Sequence, residues 1–594
     1  MINKIVKRDG REVSFDIKKI TDAISEAAIA EGELDSRLPL EITVEVINHL
    51  EAKFPAGALT VEDIQDMVEQ VLIEKGHTKV AKAYIIYRNN RTRIREARSD
   101  LMDAVAEILV ETSKENANVS NSPSAKMLQI ASAASKAYYL DRVIPSEMAK
   151  SHSRGDFHIH DLDFYGKTLT CVQIPLGKLL KTGFNNGHGF IRPPKRPGSA
   201  AALAAIILQS SQNDMHGGQS FAYFDRDMAP YVNDASEEET FQAMEALIYN
   251  LNSMHSRAGA QVPFSSLNLG IETDENARKI TRNVLLAYEK GLGHGENPIF
   301  PNIIFRVKEG INLNPGDPNY DLFQLALQVA AKRLNPTFSF MDSTFNSPFG
   351  TEVGYMGCRT RVMSNCCGPE ETDGRGNLSF TTINLPRLAI RAKGDLDQFF
   401  KNVDEMVELV VQQLLHRYNV QANLRVKDMP FLMGQKLYLD SDHLKMEDKI
   451  ESAIKHGSLS LGFIGLAETL TALTGKHHGE SEESNELGHR IVGYLRQLMD
   501  EAVEKYNLNF SLLATPAEGL SGRFVRLDQK EFGIIPGVTD KEYYTNSLHV
   551  PVGHPISMFE KMKIEGGYHK YANAGHIAYI EFSSSPIHNL SAVE

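Results

Sequence analysis

The sequence is poor in cysteine. Its 594 residues contain four cysteines, at positions 171, 358, 366 and 367, and no Cys-x-x-Cys pair occurs. Four cysteines are too few for a disulfide-stabilised scaffold of this length. A zinc site built only of thiolates would need all four, across a long gap in the sequence, so we predict no metal ligands. Cys366 and Cys367 fit burial as small hydrophobic residues as well as a chemical role.

The sequence also lacks an excess of positive charge and long apolar runs. Lys and Arg number 63 against 76 Asp and Glu, a formal charge of −13, which argues against a broad nucleic-acid-binding surface but leaves room for local phosphate sites. No run approaches the roughly 18 apolar residues of a membrane span, and the first residues do not resemble a secretory signal. We therefore expect a cytoplasmic protein with no membrane or nucleic-acid partner.

Residues 1–95 are predicted to form a separate unit. Two short strand-like pieces flank Asp9-Gly10, a strong hairpin signal, and Thr60 followed by Asp63 predicts a helix start. Apolar residues at helical spacing predict an earlier and a later helix, the later one ending in an arginine cluster at 88–95. These arginines either complement the helix dipole or join the Lys7-Arg8 turn and Lys19 in holding a polyphosphate.

The remainder, residues 96–594, shows no linker or internal repeat. Helical stretches at 101–115, 236–256, 321–334, 396–418 and 485–506 alternate with short apolar runs at 262–271, 299–306, 380–385 and 458–464. This alternation predicts an α/β body with an internal sheet or barrel. The glycine-rich stretch before Cys358 is typical of a functional loop.

Polar residues concentrate in a few segments. The segment 152–163 contains three His and three Asp, including His158 and His160. A metal site is possible there, but the spacing of two suits a strand and favours a positioning network. Thr515-Pro516-Ala517-Glu518 predicts a helix start, which would also attract an anion. The donor-rich loops 115–122, 216–220 and 545–549 fit turns or a polar ligand.

The N-terminal unit resembles an ATP-cone, the nucleotide-sensing module of ribonucleotide reductases, through the runs 6–10 and 81–88 and Lys19. The body resembles the class III, oxygen-sensitive ribonucleoside-triphosphate reductases. The motifs that carry this resemblance are Glu115-Asn116-Ala117-Asn118, Gly155 to Asp163, Gly357-Cys358-Arg359-Thr360-Arg361, Gly374 to Leu378, Ile383 to Arg387, Ala514 to Glu518, Pro536 to Lys541 and Tyr543 to Ser547.

The resemblance implies a ten-stranded α/β barrel of the glycyl-radical-enzyme type, over residues 96–594, with a small α+β ATP-cone at 1–95. A finger loop near 348–368 would carry Cys358, the transient thiyl radical that abstracts the 3′-hydrogen of the substrate ribose. Cys171 would be the partner thiol. Asn377 matches the asparagine of formate-using members and favours formate as reductant, while a redoxin-coupled variant stays open.

The resemblance also implies ligand contacts and partners. ATP or dATP would bind the cone, and dNTP effectors a separate specificity site. The expected partners are a ribonucleoside triphosphate, a radical-SAM activating enzyme and a second copy of the chain, with higher oligomers in the presence of dATP. The expected contact residues are Val6, Lys7, Arg8, Lys19 and Arg88 for ATP or dATP, and Asn116, Asn118, His158, His160, Thr515, Thr545, Asn546 and Ser547 for the substrate.

The chain departs from this family at its C-terminus. The zinc-binding cysteines and glycyl-radical loop of the family have no counterpart here, so we expect that domain to be absent and the chain alone to be inactive. Arg490 to Leu495 resembles the radical motif, but apolar residues at helical spacing predict that Gly493 lies inside a helix. Two other functions stay open: a pyruvate formate-lyase-like enzyme, suggested by the adjacent Cys366 and Cys367, and a catalytically silent nucleotide-binding regulator.

Overall fold

The computed structural model describes the chain except for residues 1, 3, 7–11, 34, 36, 55–58, 111–121, 257–260 and 358; the side chains of residues 90–100 and 110 are also not described. The predictions for Lys7, Arg8, Asn116, Asn118 and Cys358 therefore lie outside the described residues. The chain forms two compact units, Met1–Glu107 and Ile108–Glu594. Within the described residues, no helix is long and apolar enough to cross a membrane.

The first unit is a small α+β body. Its elements are the antiparallel strands β1 (Lys4–Val6) and β2 (Glu12–Ser14) and the helices α1 (Ile17–Ala30), α2 (Leu38–Lys53), α3 (Val61–Glu74) and α4 (Thr78–Val110). The predicted start of α3 is confirmed: the Thr60 hydroxyl accepts a hydrogen bond from Asp63 N, and the Asp63 carboxylate accepts one from Thr60 N.

Helix α4 continues past the arginine cluster, so the prediction that a helix ends there is wrong. Residues 88–110 contain neither glycine nor proline, and nothing in this stretch breaks the helix. The cluster therefore lies within the helix, away from the C-terminal carbonyl groups that cations stabilise.

The second unit is built from fifteen α-helices and thirteen strands in the described part of the chain, besides short 3₁₀ and π helices. The helices are α5 (Pro123–Tyr138), α6 (Ser146–Arg154), α7 (Leu176–Thr182), α8 (Pro197–Ser211), α9 (Phe224–Met228), α10 (Glu237–Ser253), α11 (Glu275–Lys290), α12 (Tyr320–Lys332), α13 (Leu385–Ala392), α14 (Leu396–Ala422), α15 (Glu451–Ile454), α16 (Leu466–Thr474), α17 (Glu482–Tyr506), α18 (Leu520–Phe532) and α19 (Met558–His569). The strands are β3 (Phe157–Ile159), β4 (Val172–Gln173), β5 (Phe184–Asn185), β6 (Phe190–Ile191), β7 (Gln219–Phe221), β8 (Ser265–Leu269), β9 (Asn302–Val307), β10 (Thr337–Phe340), β11 (Tyr355–Met356), β12 (Thr360–Arg361), β13 (Asn377–Asn384), β14 (Ser458–Ile464) and β15 (Asn509–Ala514).

Two larger sheets form the centre of this unit. One has five parallel strands in the order β10-β9-β8-β7-β4. The other has the order β15-β14-β13-β3, in which β3 is antiparallel to β13 and the other pairs are parallel. Strands β13 to β15 are buried along nearly their whole length, as expected for parallel strands covered on both faces. The predicted α/β class is confirmed, and the closed ten-stranded barrel stays a prediction.

The two sheets are joined beside Cys171. Backbone N–H groups of Cys171 and Gln173 donate to the carbonyl oxygens of Asn377 and Arg375, over 2.9 and 2.8 Å, and Gly374 N donates to Gln173 O. Strand β4 of the first sheet therefore lies against the beginning of β13 in the second. This contact brings two segments that are distant in the sequence to one place.

The glycine-rich stretch before Cys358 ends in the antiparallel hairpin β11–β12, which is anchored to the five-stranded sheet. Tyr355 exchanges backbone hydrogen bonds with the Asn268 side chain, and its carbonyl oxygen also accepts from the Ser220 hydroxyl at 2.9 Å. Asn268 and Ser220 are fully buried on β8 and β7. The hairpin is therefore held by buried polar side chains inside the body.

Candidate active site

Cys171 and Asn377 meet at the joint between the two sheets. The Cys171 N–H donates to the Asn377 carbonyl oxygen at 2.9 Å, and the Cys171 Sγ accepts from the backbone N–H of Gly218 at 3.3 Å. The joint thus holds a thiol in a fixed position beside a buried amide.

The backbone of Gly357 approaches the same place. A Cβ atom on Gly218 would lie 3.4 Å from Gly357 N, and the Gly357 carbonyl oxygen accepts a hydrogen bond from the Ser266 hydroxyl at 3.3 Å. Gly357 directly precedes Cys358 in the sequence. Gly218 therefore donates its N–H to the sulfur of Cys171 and also lies against the backbone of Gly357, next to Cys358 in the sequence.

The Asn377 side chain is fixed by serines that the sequence analysis missed. Its Nδ2 donates to the hydroxyls of Ser458 and Ser460 at 3.0 and 2.8 Å, and Ser460 in turn contacts the Ser511 hydroxyl at 2.9 Å. Its Oδ1 is buried and has no hydrogen-bond partner among the residues that the structure describes. The alternation Ser-Leu-Ser-Leu at 458–461 could have indicated these serines in the sequence, because a period of two places both of them on one face of a strand.

The predicted histidine network is present around β3. His160 Nε2 lies 2.8 Å from the Thr382 hydroxyl, its ring stacks on Phe380, and His158 contacts it edge-on. Burial lowers the pKa of His160 to about 4 and that of His152 to about 3, and it lowers the pKa of His158 well below its usual value. These rings are neutral near pH 7, so they can position a ligand by hydrogen bonds but supply no positive charge for phosphate.

Protonation of this network is expected to destabilise the fold in mild acid. A histidine with a pKa near 4 when folded and near 6.5 when unfolded binds its proton first in the unfolded chain, so stability falls as the pH drops from 6.5 to 4. Such a residue should contribute a loss of about 3 kcal/mol by pH 4. The free energy of unfolding, measured by urea titration between pH 7 and 4, should therefore change less with pH in His160→Gln than in the wild type. In the control His188→Gln, which changes an exposed residue, it should change as much as in the wild type. Equal slopes in all three proteins would contradict the prediction.

Thr515 is not the start of a helix, contrary to the prediction. It follows β15, while α18 begins at Leu520 with Gly519 before it, and Glu518 between them has a φ of 44°. A residue in the left-handed region interrupts a right-handed helix. The Thr515 hydroxyl is instead buried at 2.8 Å from the Thr382 hydroxyl, which connects it to His160.

The loop 545–547 lies against Thr515. The Ser547 hydroxyl donates to the Thr515 carbonyl oxygen at 2.7 Å, and the Thr545 hydroxyl donates to buried Glu468 at 2.7 Å. Asn546 is half-buried between them and accepts from the Ser547 hydroxyl at 3.2 Å. Because both hydroxyl hydrogens are already used, Thr545 and Ser547 could contact a ligand only as acceptors. The structure brings Thr515, Ser547 and His160 into one hydrogen-bonded network.

In the N-terminal unit, the described residues of the predicted nucleotide site are Val6, Lys19 and Arg88. Val6 N donates to Leu59 O at 2.8 Å, and the Lys19 side chain is 80% exposed, 3.8 Å from Asp16. The Arg88 guanidinium binds three carboxylates at 2.6–2.8 Å, namely Glu62, Asp66 and Glu69. Lys19 is thus open to an anion, whereas Arg88 is already paired.

Among the described residues, one group of three side chains has the spacing to hold a metal ion. It consists of His477, Glu480 and His554, whose candidate ligand atoms lie within 4.8 Å of one another. Gly479 N donates to Nδ1 of His477, and Gly479 O accepts from Nε2 of His554, both at 3.0 Å. The neutral His477 ring therefore carries its proton on Nε2, 3.5 Å from Glu480. These contacts give the two histidines hydrogen-bond partners within the protein without a bound metal.

Comparisons with known proteins show the family of the chain. The family profile described as anaerobic ribonucleoside-triphosphate reductase matches residues 115–594, and that of the ATP cone domain matches residues 3–93. The chain is 34% identical to the anaerobic ribonucleoside-triphosphate reductase of Salmonella typhimurium, with 100% of this chain and 87% of the relative aligned. It is 33% identical to that of Haemophilus influenzae, with 99% and 87% aligned.

A solved structure shares the fold at lower identity. The anaerobic ribonucleotide reductase of Thermotoga maritima with dATP bound in its specificity site superposes with a TM-score of 0.63, at 16% identity, over 84% of this chain and 90% of that one. The profile match over the body and the level of identity to the curated relatives together show that the chain belongs to the anaerobic ribonucleoside-triphosphate reductases, which are oxidoreductases.

Proposed function

We propose that this chain reduces ribonucleoside triphosphates to 2′-deoxyribonucleoside triphosphates at the joint between its two sheets, with Cys358, Cys171 and Asn377 as the reacting and orienting groups. In this reaction a sulfur radical on Cys358 removes the 3′-hydrogen of the ribose. Cys171 then supplies a proton to the departing 2′-hydroxyl, which leaves as water. The observation that supports this assignment is the contact of Gly218 with both Cys171 Sγ and the backbone beside Cys358.

Two features of the joint support these roles. Sulfur can hold an unpaired electron and exchange it with a C–H bond, and Cys171 is kept at a fixed distance from its backbone donor. The unpartnered Oδ1 of Asn377 is a buried acceptor, and burying such an atom costs free energy unless a ligand hydroxyl occupies it. The unpaired electron of Cys358 would come from the glycine-centred radical that the family resemblance implies.

Formate fits as the reductant in this proposal. The overall change is loss of the 2′-hydroxyl as water, gain of a hydrogen at the same carbon, and oxidation of formate to carbon dioxide. The amide of Asn377, held by Ser458 and Ser460, could bind the carboxyl group of formic acid through its open oxygen. A dithiol protein would be the alternative electron donor.

Regulation by nucleotides belongs to the same proposal. ATP or dATP would bind the N-terminal unit through Val6, Lys7, Arg8, Lys19 and Arg88, and a dNTP would select the substrate base elsewhere. The exposed Lys19 supports this site. Solved structures of the Thermotoga maritima enzyme hold dATP in the specificity site or dATP together with CTP. Homodimers, dATP-dependent larger oligomers, a radical-SAM activating enzyme and a cytoplasmic location complete the proposal.

Serine substitutions test the catalytic assignment. Cys358→Ser and Cys171→Ser are each expected to form no detectable deoxyribonucleotide when the chain is supplied anaerobically with an activating enzyme, a radical source and formate, while nucleotide binding is retained. A hydroxyl O–H bond is too strong for oxygen to replace sulfur as a reversible radical carrier. Chromatographic quantification of the products is the measurement, and Cys366→Ser is the matched control. Turnover by Cys358→Ser would refute the assignment.

Isotope labelling separates the two reductants. With labelled formate, one equivalent of labelled carbon dioxide is expected for each deoxyribonucleotide formed. Turnover that instead requires a dithiol protein and releases no labelled carbon dioxide would refute formate as the reductant, and the thiyl assignment would stand.

A further inference from the structure

The adjacent cysteines Cys366 and Cys367 have no part in the proposed reaction. They form a turn between β12 and β13, with Cys366 exposed and Cys367 half-buried. Their sulfur atoms lie 3.6 Å apart and face each other. Two thiols with this exposure and spacing form a pair that reagents in solution can reach.

The backbone of this pair is fixed by two buried asparagines. Cys366 N donates to Asn509 Oδ1 at 2.9 Å, and Cys367 N donates to Asn365 Oδ1 at 3.1 Å. Asn509 Nδ2 also donates to Asn365 Oδ1 at 3.2 Å, so the two amides hold each other. Both peptide N–H groups of the pair are therefore bonded, and the peptide between the cysteines cannot rotate without losing buried hydrogen bonds.

The distance between the sulfur atoms distinguishes two kinds of thiol chemistry. A disulfide needs about 2.05 Å between sulfurs, which would require the fixed turn to close by about 1.5 Å. Two sulfurs bonded at about 2.3 Å to one tetrahedral centre lie about 3.8 Å apart. The observed 3.6 Å is the separation of two thiols in hydrogen-bond contact, and it lies closer to the spacing of a two-thiolate chelate than to that of a disulfide.

The surroundings act on the charge of Cys366 in opposite directions. The buried Arg375 guanidinium donates to the carbonyl oxygens of Ser364 and Met363, at 2.6 and 2.8 Å, and its positive charge by itself lowers the pKa of Cys366. Burial and the hydrogen bond with Cys367 nevertheless raise the pKa of Cys366 to about 11. A ligand must therefore displace the protons, which strongly thiophilic centres do and hard cations such as Mg²⁺ do not.

We propose that Cys366 and Cys367 form a two-thiolate chelating site for a soft, thiophilic centre, either a d¹⁰ divalent cation or a trivalent arsenical. Water or an external thiol completes the coordination on the exposed side of Cys366, and binding replaces the hydrogen bond from Cys367 Sγ to the Asn507 carbonyl oxygen at 3.4 Å. With phenylarsine oxide, both S–H bonds break, two As–S bonds form and the oxide oxygen leaves as water, so nothing is oxidised or reduced. The site is independent of the proposed reaction, since neither sulfur takes part in it.

Titration with phenylarsine oxide tests the site. In the background Cys171→Ser/Cys358→Ser, which removes the other two thiols, intact-mass spectrometry is expected to show one equivalent bound, and both cysteines should be protected from iodoacetamide. Adding Cys366→Ser or Cys367→Ser should weaken binding by at least about a hundredfold, because the second bond of a chelate forms within the molecule. Equal affinity in the single-thiol variants, or no binding by the pair, would overturn the proposal.

Two further measurements separate chelation from disulfide formation. Cd²⁺ added to the same background should produce a sulfur-to-metal charge-transfer band that loses about half its intensity in each single-thiol variant, since the band scales with the number of thiolates bound. Oxidised glutathione should leave Cys366 and Cys367 without a disulfide between them in peptide maps. A Cys366–Cys367 disulfide formed under these conditions, or the absence of the Cd²⁺ band, would overturn the proposal. Circular dichroism of the serine variants checks that they are folded.

Discussion

Replacing Gly376 with alanine is expected to lower the rate of deoxyribonucleotide formation by at least about a hundredfold. A Cβ atom at this position would lie 1.7 Å from the carbonyl oxygen of Cys171 and 2.6 Å from its carbonyl carbon, so backbone must move. Gly376 directly precedes Asn377, and the displacement would separate the Cys171 backbone from the Asn377 carbonyl that it binds. A shift of about 1 Å between reacting groups is enough to lower the rate by about a hundredfold. The measurement is turnover in the anaerobic assay.

The matched control is Gly566→Ala. Gly566 lies in helix α19, and nothing stands within 4 Å of a Cβ added there, so this change should preserve turnover and favour the helix by about 0.5–1 kcal/mol. A second variant approaches the same cysteine from another side. In Gly217→Ala the added Cβ would lie 2.2 Å from the Thr170 carbonyl oxygen and 3.0 Å from Cys171 Sγ. Wild-type turnover in both Gly376→Ala and Gly217→Ala would contradict the placement of the site at this joint.

Replacing Arg387 with methionine is expected to lower the free energy of unfolding by about 3–5 kcal/mol, because it leaves buried Asp528 without its cationic partner, whereas Asp156 keeps Arg154 and Arg391. Arg387 is fully buried; its Nε binds Asp528 at 2.6 Å, and its Nη1 binds Asp156 at 3.0 Å. Both carboxylates are buried as well. Methionine keeps most of the volume of the side chain, so the loss of stability reflects mainly the removal of the positive charge. Urea-induced unfolding monitored by circular dichroism is the measurement.

A double variant tests whether the buried charge is the cause. In the Arg387→Met background, Asp528→Asn removes one stranded carboxylate while keeping its hydrogen bonds with Asn384 and Tyr544 in reach, so it should restore at least about 1 kcal/mol. Arg496→Met is the surface control: Arg496 pairs with Asp500 one helical turn away, and its loss should cost less than about 1 kcal/mol. Equal losses at Arg387 and Arg496 would refute the prediction.

Much of the fold was predictable because its signals are local. The helices predicted at 236–256, 321–334, 396–418 and 485–506 correspond to α10, α12, α14 and α17, and the four apolar runs correspond to β8, β9, β13 and β14. Gly493 lies inside α17, as its apolar neighbours predicted. Helical and strand periodicity depend only on which residues must face the core, and the order of apolar and polar residues within each segment shows this directly.

Parts of the candidate site could not be predicted for a different reason. The partners of Asn377, the neutral state of His160 and the burial of the Thr515 hydroxyl all depend on neighbours that are far away in the sequence. Thr515 illustrates the difficulty: its local pattern is that of a helix start, but the left-handed backbone at Glu518 and the contact with Thr382 override it. Local propensity is weak compared with tertiary contacts of this kind.

The sequence by itself determined the α/β class, the separate N-terminal unit and the motifs that place the chain among the anaerobic ribonucleoside-triphosphate reductases. Only the tertiary structure decided that Cys171 and Asn377 share one strand joint, that the histidines of β3 are uncharged, and that the sulfurs of Cys366 and Cys367 lie 3.6 Å apart. The physical reason is that residue type and periodicity fix what a segment can bury, whereas distances between segments, and the burial that sets a pKa, follow from how the strands are paired.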